Sequence, residues 1–228
     1  MTIYDISPGF LQRFAWIPLR VVLTVFCSLK IRGVENIESI EGSVVIAISH
    51  TSELDPLLVV ACMSFFSRHL PFFYVTREKK FYSNMDWKRL IYGGTFFKLM
   101  GAYPALVGLK NYEIALQHHL NFIRDGKNVC IFPSGKIALG EKSLKARGGV
   151  SFLAQKTNRP IIPILIQGAD NISLWDVFSG KRKITVTIGM PLWSKDIFRD
   201  GKNALINKDR NDYEEAATIL MEKIARLA

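Results

Sequence analysis

The sequence predicts an α/β fold: a mixed, largely parallel sheet flanked by helices, with an N-terminal amphipathic helical arm. Three observations carry that prediction. Short apolar runs rich in β-branched residues recur along the chain, and stretches of helical periodicity separate them, which implies a sheet covered on both faces. The 228 residues suit one large domain with a short appendage rather than two domains. A hydrophobic fraction of 49% against 22% charged residues supplies a core and excludes a disordered chain.

The arm comprises residues 1–32. Ser7-Pro8 reads as a helix start with proline in the first turn, and Pro18 ends or kinks that helix, so two short helices are expected. At 100° per residue Arg13, Arg20, Thr24 and Ser28 fall on one side, with Phe14, Leu19, Val22, Phe26 and Leu29 largely elsewhere. The apolar run from Phe14 to Leu29 contains Arg20 and is short for a bilayer span, so the pattern points to a helix pair lying in the headgroup region. Packing of the arm on the protein's own core is the alternative. A cleaved signal peptide is disfavoured, because no small-residue cleavage site follows at a convincing distance.

Residues 33–228 read as a single domain. Ser43–Ser49 is a buried-strand run, and a helix begins at Asp55-Pro56 and continues through Leu57, Val60 and Met63. Phe72–Thr76 is a second strand, followed by a helical stretch around Trp87–Met100. Asn111–Arg124 is helical and stops at Gly126, and Asn128–Phe132 is the next strand. A helix over Lys145–Lys156 leads to the strand Pro160–Ile166. Lys183–Ile188 alternates as a strand, and Asp212–Leu227 closes the chain as a helix.

Lys plus Arg exceed Asp plus Glu by 30 − 20 = 10 charges while the mean hydropathy is +0.15. An anionic membrane surface or a phosphorylated substrate explains that combination better than nucleic acid does. Cys27, Cys62 and Cys130 are odd in number, far apart and set in apolar sequence, which fits a reducing compartment and not a zinc site. His69 and the pair His118-His119 have no ligand-spaced partners, no metal site is expected, and the pair is expected on a helix surface. Several common signatures are absent: the G-x-S-x-G elbow, the G-x-G-x-x-G fingerprint and the complete phosphate-binding loop.

Two segments remain that can carry chemistry. His50 directly follows a hydrophobic strand, at the carboxyl end where α/β sheets place ligands, and Asp55 lies five residues on at a helix start. Asp55 either caps that helix or reaches one imidazole nitrogen of His50, fixing its tautomer and making a general base of the other nitrogen. Phe132-Pro-Ser-Gly-Lys136 also ends a strand. It is either an ordinary Pro-x-Gly turn or a loop whose amides and Lys136 approach an anion.

Taken together, Ser49-His-Thr-Ser-Glu-Leu-Asp-Pro56, Phe132-Pro-Ser-Gly135 and Arg159-Pro-Ile-Ile-Pro-Ile164 resemble the lysophospholipid/glycerol-phosphate acyltransferase family. Val75-Thr-Arg-Glu-Lys79, Leu144-Lys-Ala-Arg-Gly-Gly149 and the strand ending in Gly189-Met190-Pro191 extend the resemblance over roughly residues 40–228. It implies a 1-acylglycerol-3-phosphate acyltransferase-like enzyme that moves a fatty acyl group from a thioester, on coenzyme A or acyl carrier protein, to a lipid hydroxyl. The default acceptor is lysophosphatidic acid, and the setting is phospholipid biosynthesis or remodelling at the cytoplasmic face of a membrane. His50 and Asp55 are the catalytic pair it implies, with Ser134, Gly135, Lys136, Arg77 and Arg147 binding substrate and no cofactor beyond the thioester.

The chain departs from the family in two respects. Ser134, Lys136 and Ile137 stand where many members read Glu, Thr and Arg, and Gly101–Val107, the counterpart of a second motif, lacks its terminal arginine. Lys136, Arg77 and Arg147 are the substitute cations for a phosphate. Two other readings remain: a lipid or thioester hydrolase with Ser134 as nucleophile, and a non-catalytic membrane lipid-binding protein.

Overall fold

The computed structural model describes residues 2–76, 95–106, 111–134, 146–170, 172, 177–180, 182–199 and 209–228. Among them seven strands form one sheet: β1 (Lys30–Arg32), β2 (Val45–Ile48), β3 (Phe72–Thr76), β4 (Ala102–Pro104), β5 (Asn128–Ile131), β6 (Ile161–Gln167) and β7 (Thr185–Ile188). Their order is β1-β7-β6-β2-β5-β3-β4, parallel throughout except for the antiparallel pair β6–β7. The mixed, largely parallel sheet expected from the sequence is therefore present. The three-residue edge strands β1 and β4 are too short to leave a periodic signal.

The helices are α1 (Ile3–Cys27), α2 (Val34–Glu38), α3 (Asp55–Cys62), α4 (Thr95–Leu99), α5 (Tyr112–Ala115), α6 (Gln117–Arg124), α7 (Gly149–Thr157), α8 (Ser194–Ile197) and α9 (Arg210–Ala225). Strand alternation sends side chains to two cores. Ile46 and Ile48 of β2 face a layer with Leu58 and Val59 of α3 and Leu23 of α1. Val45 and Ala47 face the other layer, with Leu120 and Ile123 of α6, Val150 and Leu153 of α7 and Leu220 of α9.

The N-terminal segment differs from expectation. It is one 25-residue helix, begun by a capping box between Thr2 and Asp5 rather than at Ser7-Pro8, and it runs through both Pro8 and Pro18. Pro18 has no N–H for the Phe14 carbonyl, and both residues lie on the exposed side, where solvent can meet that carbonyl. By length and composition α1 is apolar enough to cross a membrane, but one face packs against α3 and α4.

The cationic side of that helix faces the domain. Arg20 donates to the Ala61 carbonyl at 2.8 Å and Trp16 to that of Met63 at 2.9 Å, so both cap the end of α3. Arg13 donates to the Ser67 and Leu70 carbonyls. Buried Gln12 donates to the carbonyls of Phe72 (2.7 Å) and Met100 (2.9 Å) and accepts from the Phe72 N–H (2.9 Å). A side chain at Gly101, whose φ is +94°, would strike the Phe72 carbonyl at 2.6 Å and close the gap that Gln12 enters. Outward stand Ile3, Ile6, Phe10, Phe14, Ile17, Val21 and Val25, each more than half exposed.

Candidate active site

Strand β2 is central, between β6 and β5, and its pairing with β5 is parallel, with Ala47 opposite Ile131. The two turns that leave β2 and β5 therefore emerge side by side at the same edge of the sheet. The first carries His50 through Asp55, and the second carries Phe132, Pro133 and Ser134.

In the first turn the chain folds back so that α3 begins at Asp55 itself, with Pro56 in its first turn. Asp55 makes no capping bond to its helix. Its carboxylate, fully buried, instead faces the residues before it. Oδ2 lies 2.9 Å from His50 Nδ1 and accepts from the N–H of Thr51 at 2.7 Å and of Ser52 at 2.9 Å. Oδ1 accepts from the Ser52 hydroxyl at 2.7 Å and from that of Thr51 at 3.4 Å. A carboxylate charge withdrawn from water needs such donors. An ionised carboxylate can only accept, so Nδ1 of His50 donates to it, and in the neutral imidazole Nε2 is then the nitrogen with the lone pair. The imidazole is partly exposed, 19%, and can meet a substrate.

The second turn lies against the first. The Phe132 ring packs on the His50 imidazole, with centroids 4.3 Å apart and planes inclined by 31°. Pro133 and Ser134 are buried, and the Pro133 carbonyl accepts from the N–H of Arg147 at 2.8 Å. That bond places the exposed Arg147 beside the turn. It depends on the Gly148-Gly149 pair: a Cβ on Gly148 would meet Tyr213 of α9 at 2.5 Å, and one on Gly149 would meet Leu116 at 3.2 Å. Gly135, Lys136 and Arg77 lie outside the described residues, as does Ile137.

The remaining histidines differ from one another. His69 is buried. His118 is exposed as expected, but its neighbour His119 is fully buried, because α6 turns that face, which also carries Phe122, onto β3. Burial pushes the His119 imidazole down to about 4 from 6.5. The three cysteines are free and buried, and burial pushes the Cys62 thiol up to about 12. Among the described residues no three His, Cys, Asp or Glu side chains gather as a metal site.

A family model described as acyltransferase matches residues 28–167, more than half of the chain. The chain belongs to the acyltransferase family. Its fold is similar to that in the crystal structure of the 1-acyl-sn-glycerophosphate (LPA) acyltransferase PlsC from Thermotoga maritima, with a TM-score of 0.60 at 14% identity over 95% of this chain and 80% of that one. It is thus an acyltransferase, as the motifs implied. The matched segment contains both turns, from His50 to Arg147.

Three residues of this acyltransferase site were not singled out by the sequence reading. Ser52 and Thr51 serve the Asp55 carboxylate, and a serine three residues before a helix-starting Asp is a legible pattern for such a turn. Phe132 heads the Phe132–Lys136 segment, but without a role of its own there; only the adjacency of β2 and β5 brings it to His50.

Proposed function

We propose that His50 and Asp55 form the general-base dyad of an enzyme that acylates a lysolipid hydroxyl from an acyl thioester. The observation that carries this reading is the 2.9 Å contact between His50 Nδ1 and a buried carboxylate already supplied with donors. With Nδ1–H committed to Asp55, Nε2 takes the acceptor's hydroxyl proton as its oxygen bonds to the thioester carbonyl carbon. The tetrahedral adduct collapses, the carbon–sulfur bond breaks, and the imidazolium returns its proton to the thiolate. Asp55 keeps its charge throughout and stabilises the imidazolium. The thioester, on coenzyme A or acyl carrier protein, is a co-substrate, and the steps as written require no metal ion or bound cofactor.

Lysophosphatidic acid is the acceptor in this reading. Arg147, exposed beside the Phe132–Ser134 turn, is one cation for its phosphate, with Lys136 and Arg77 as the others and Ser134 and Gly135 lining the polar part of the loop. The outward apolar face of α1, from Ile3 to Val25, spans about 33 Å at 1.5 Å per residue. Its chemistry suits the interfacial region of an anionic membrane at the cytoplasmic face, with residues 1–32 as the attaching segment and residues 33–228 as the catalytic domain.

The deciding experiment incubates the purified protein with an acyl thioester and matched acceptors, lysophosphatidic acid and a phosphate-free monoacylglycerol, while following free thiol and lipid product together. Equal release of thiol and ester, with the phosphate-bearing acceptor preferred, is expected. Thiol release without ester would point to hydrolysis through Ser134, and no reaction would point to a binding protein. A preference for the phosphate-free acceptor would overturn the lysophosphatidate assignment.

A further inference from the structure

We infer that Phe132 is a positioning residue whose ring face stabilises the imidazolium form of His50 during acyl transfer. The inference rests on the general-base reading and adds a group that acts through the base. A ring whose centroid lies 4.3 Å from that of the imidazole, inclined by only 31°, presents its electron-rich face to the heterocycle. A histidine that serves as general base is neutral before reaction, and the contact is then ordinary packing. Once Nε2 holds the acceptor's proton, the heterocycle is a cation within the ~6 Å range at which an aromatic face attracts one. Attraction that appears only as charge develops lowers the barrier rather than tightening the resting complex.

The chain holds the ring there from both sides. Pro133 restricts Phe132 to extended backbone, and the Pro133 carbonyl is fixed by the Arg147 N–H. The imidazole is fixed by Asp55. Among the described residues, Asp55 from α3 is the ionised group in hydrogen-bond contact with His50. Glu53 on the same turn and Arg147 beside Pro133 are exposed to solvent.

Two effects of the ring have opposite signs, which makes the inference testable. A ring that merely covered His50 would disfavour its charge, so losing the π face at constant bulk would leave the histidine's titration unchanged. A ring that attracts the cation holds the titration midpoint up. The full-length protein is prepared with cyclohexylalanine at position 132, and separately with mono- and trifluorinated phenylalanine, whose size is nearly that of phenylalanine. The His50 ring is followed by NMR against pH, and kcat and KM are measured with the thioester and lysophosphatidic acid.

The midpoint should fall by roughly half to one pH unit with cyclohexylalanine and by graded smaller steps with fluorination, with kcat falling about three- to tenfold in the same order and KM nearly constant. A midpoint that stays or rises across the series overturns the inference, and so does a falling midpoint with constant kcat. Failure of the general-base reading is separately visible, as turnover that survives His50→Ala while the midpoint still follows the fluorine count.

Discussion

The turn that carries His50 and the helix α1 are held to the domain in opposite ways. Every bond to the Asp55 carboxylate comes from a residue three to five positions away. Besides local bonds, Gln12, Trp16, Arg20 and Asp5 of α1 reach partners 41 to 122 positions away, from Ala61 and Met63 at the end of α3 to Phe72, Met100 and the ion pair of Asp5 with Lys127. The turn is thus a self-contained unit that needs only β2 before it and α3 after it. Helix α1 is built into the domain, and by capping the far end of α3 it steadies the helix on which Asp55 begins. In the proposed reading, attachment through α1 and catalysis at the turn would therefore meet at α3.

The largest expected effect lies in the turn. His50→Ala and Asp55→Asn should each lower kcat by about 10²–10⁴ without changing the thermal midpoint by more than a few degrees. If the pair acts as a unit, the double variant should be little slower than the slower single. Losses that multiply would separate the two residues, and a fully active His50→Ala would remove the base.

The same contrast explains what the sequence disclosed. The spacing of His50 and Asp55 left a helix cap and a pair both open, and the family resemblance selected the pair, whose geometry is local; the strands of β2, β3, β5 and β6 declared themselves by continuous apolar runs. The orientation of α1 could not be read that way. Helical periodicity separates Arg13 and Arg20 from Phe14, but it is silent on which side meets protein; the carbonyls of α3 and of Ser67 and Leu70 decide that, and they lie far along the chain. Phe132 needed the order of the strands, and buried His119 needed the face on which α6 packs.

A second test attacks the junction itself. Gln12→Leu leaves a buried N–H and two carbonyls around Phe72 and Met100 without their partner, which should lower stability by about 2–4 kcal/mol in denaturant titrations. Residual folded protein should keep its kcat, since the turn's own bonds are untouched. A stable but inactive Gln12→Leu would mean that α1 reaches the catalytic turn more directly than through the end of α3.

Acid should loosen the other core. The folded state holds the His119 imidazole at about 4, chiefly through burial, whereas the unfolded chain binds that proton near 6.5. The stability this lends is fully present above 6.5 and is lost as pH falls towards 4, about 2 kcal/mol of it by pH 5. Urea midpoints of wild type and His119→Leu compared at pH 7.5 and pH 5 should show the steeper decline in wild type. Parallel declines would place the acid sensitivity elsewhere.

The smallest effect concerns the two arginines of α1. If they faced lipid, each would contribute about 1 kcal/mol to binding an anionic surface, so replacing both would weaken binding by roughly thirtyfold at low salt. They bind carbonyls of the domain instead, so Arg13→Gln/Arg20→Gln should change co-sedimentation with phosphatidylserine-containing vesicles by less than about twofold, equally at low and high salt, while lowering the thermal midpoint. Phe10→Ser/Phe14→Ser should do the reverse, lowering vesicle binding by about tenfold or more with little loss of stability, because both rings are 70% exposed. A salt-dependent loss in the arginine pair would show that they leave their carbonyls at the membrane. Unchanged binding in the phenylalanine pair would move the attaching surface away from the outer face of α1.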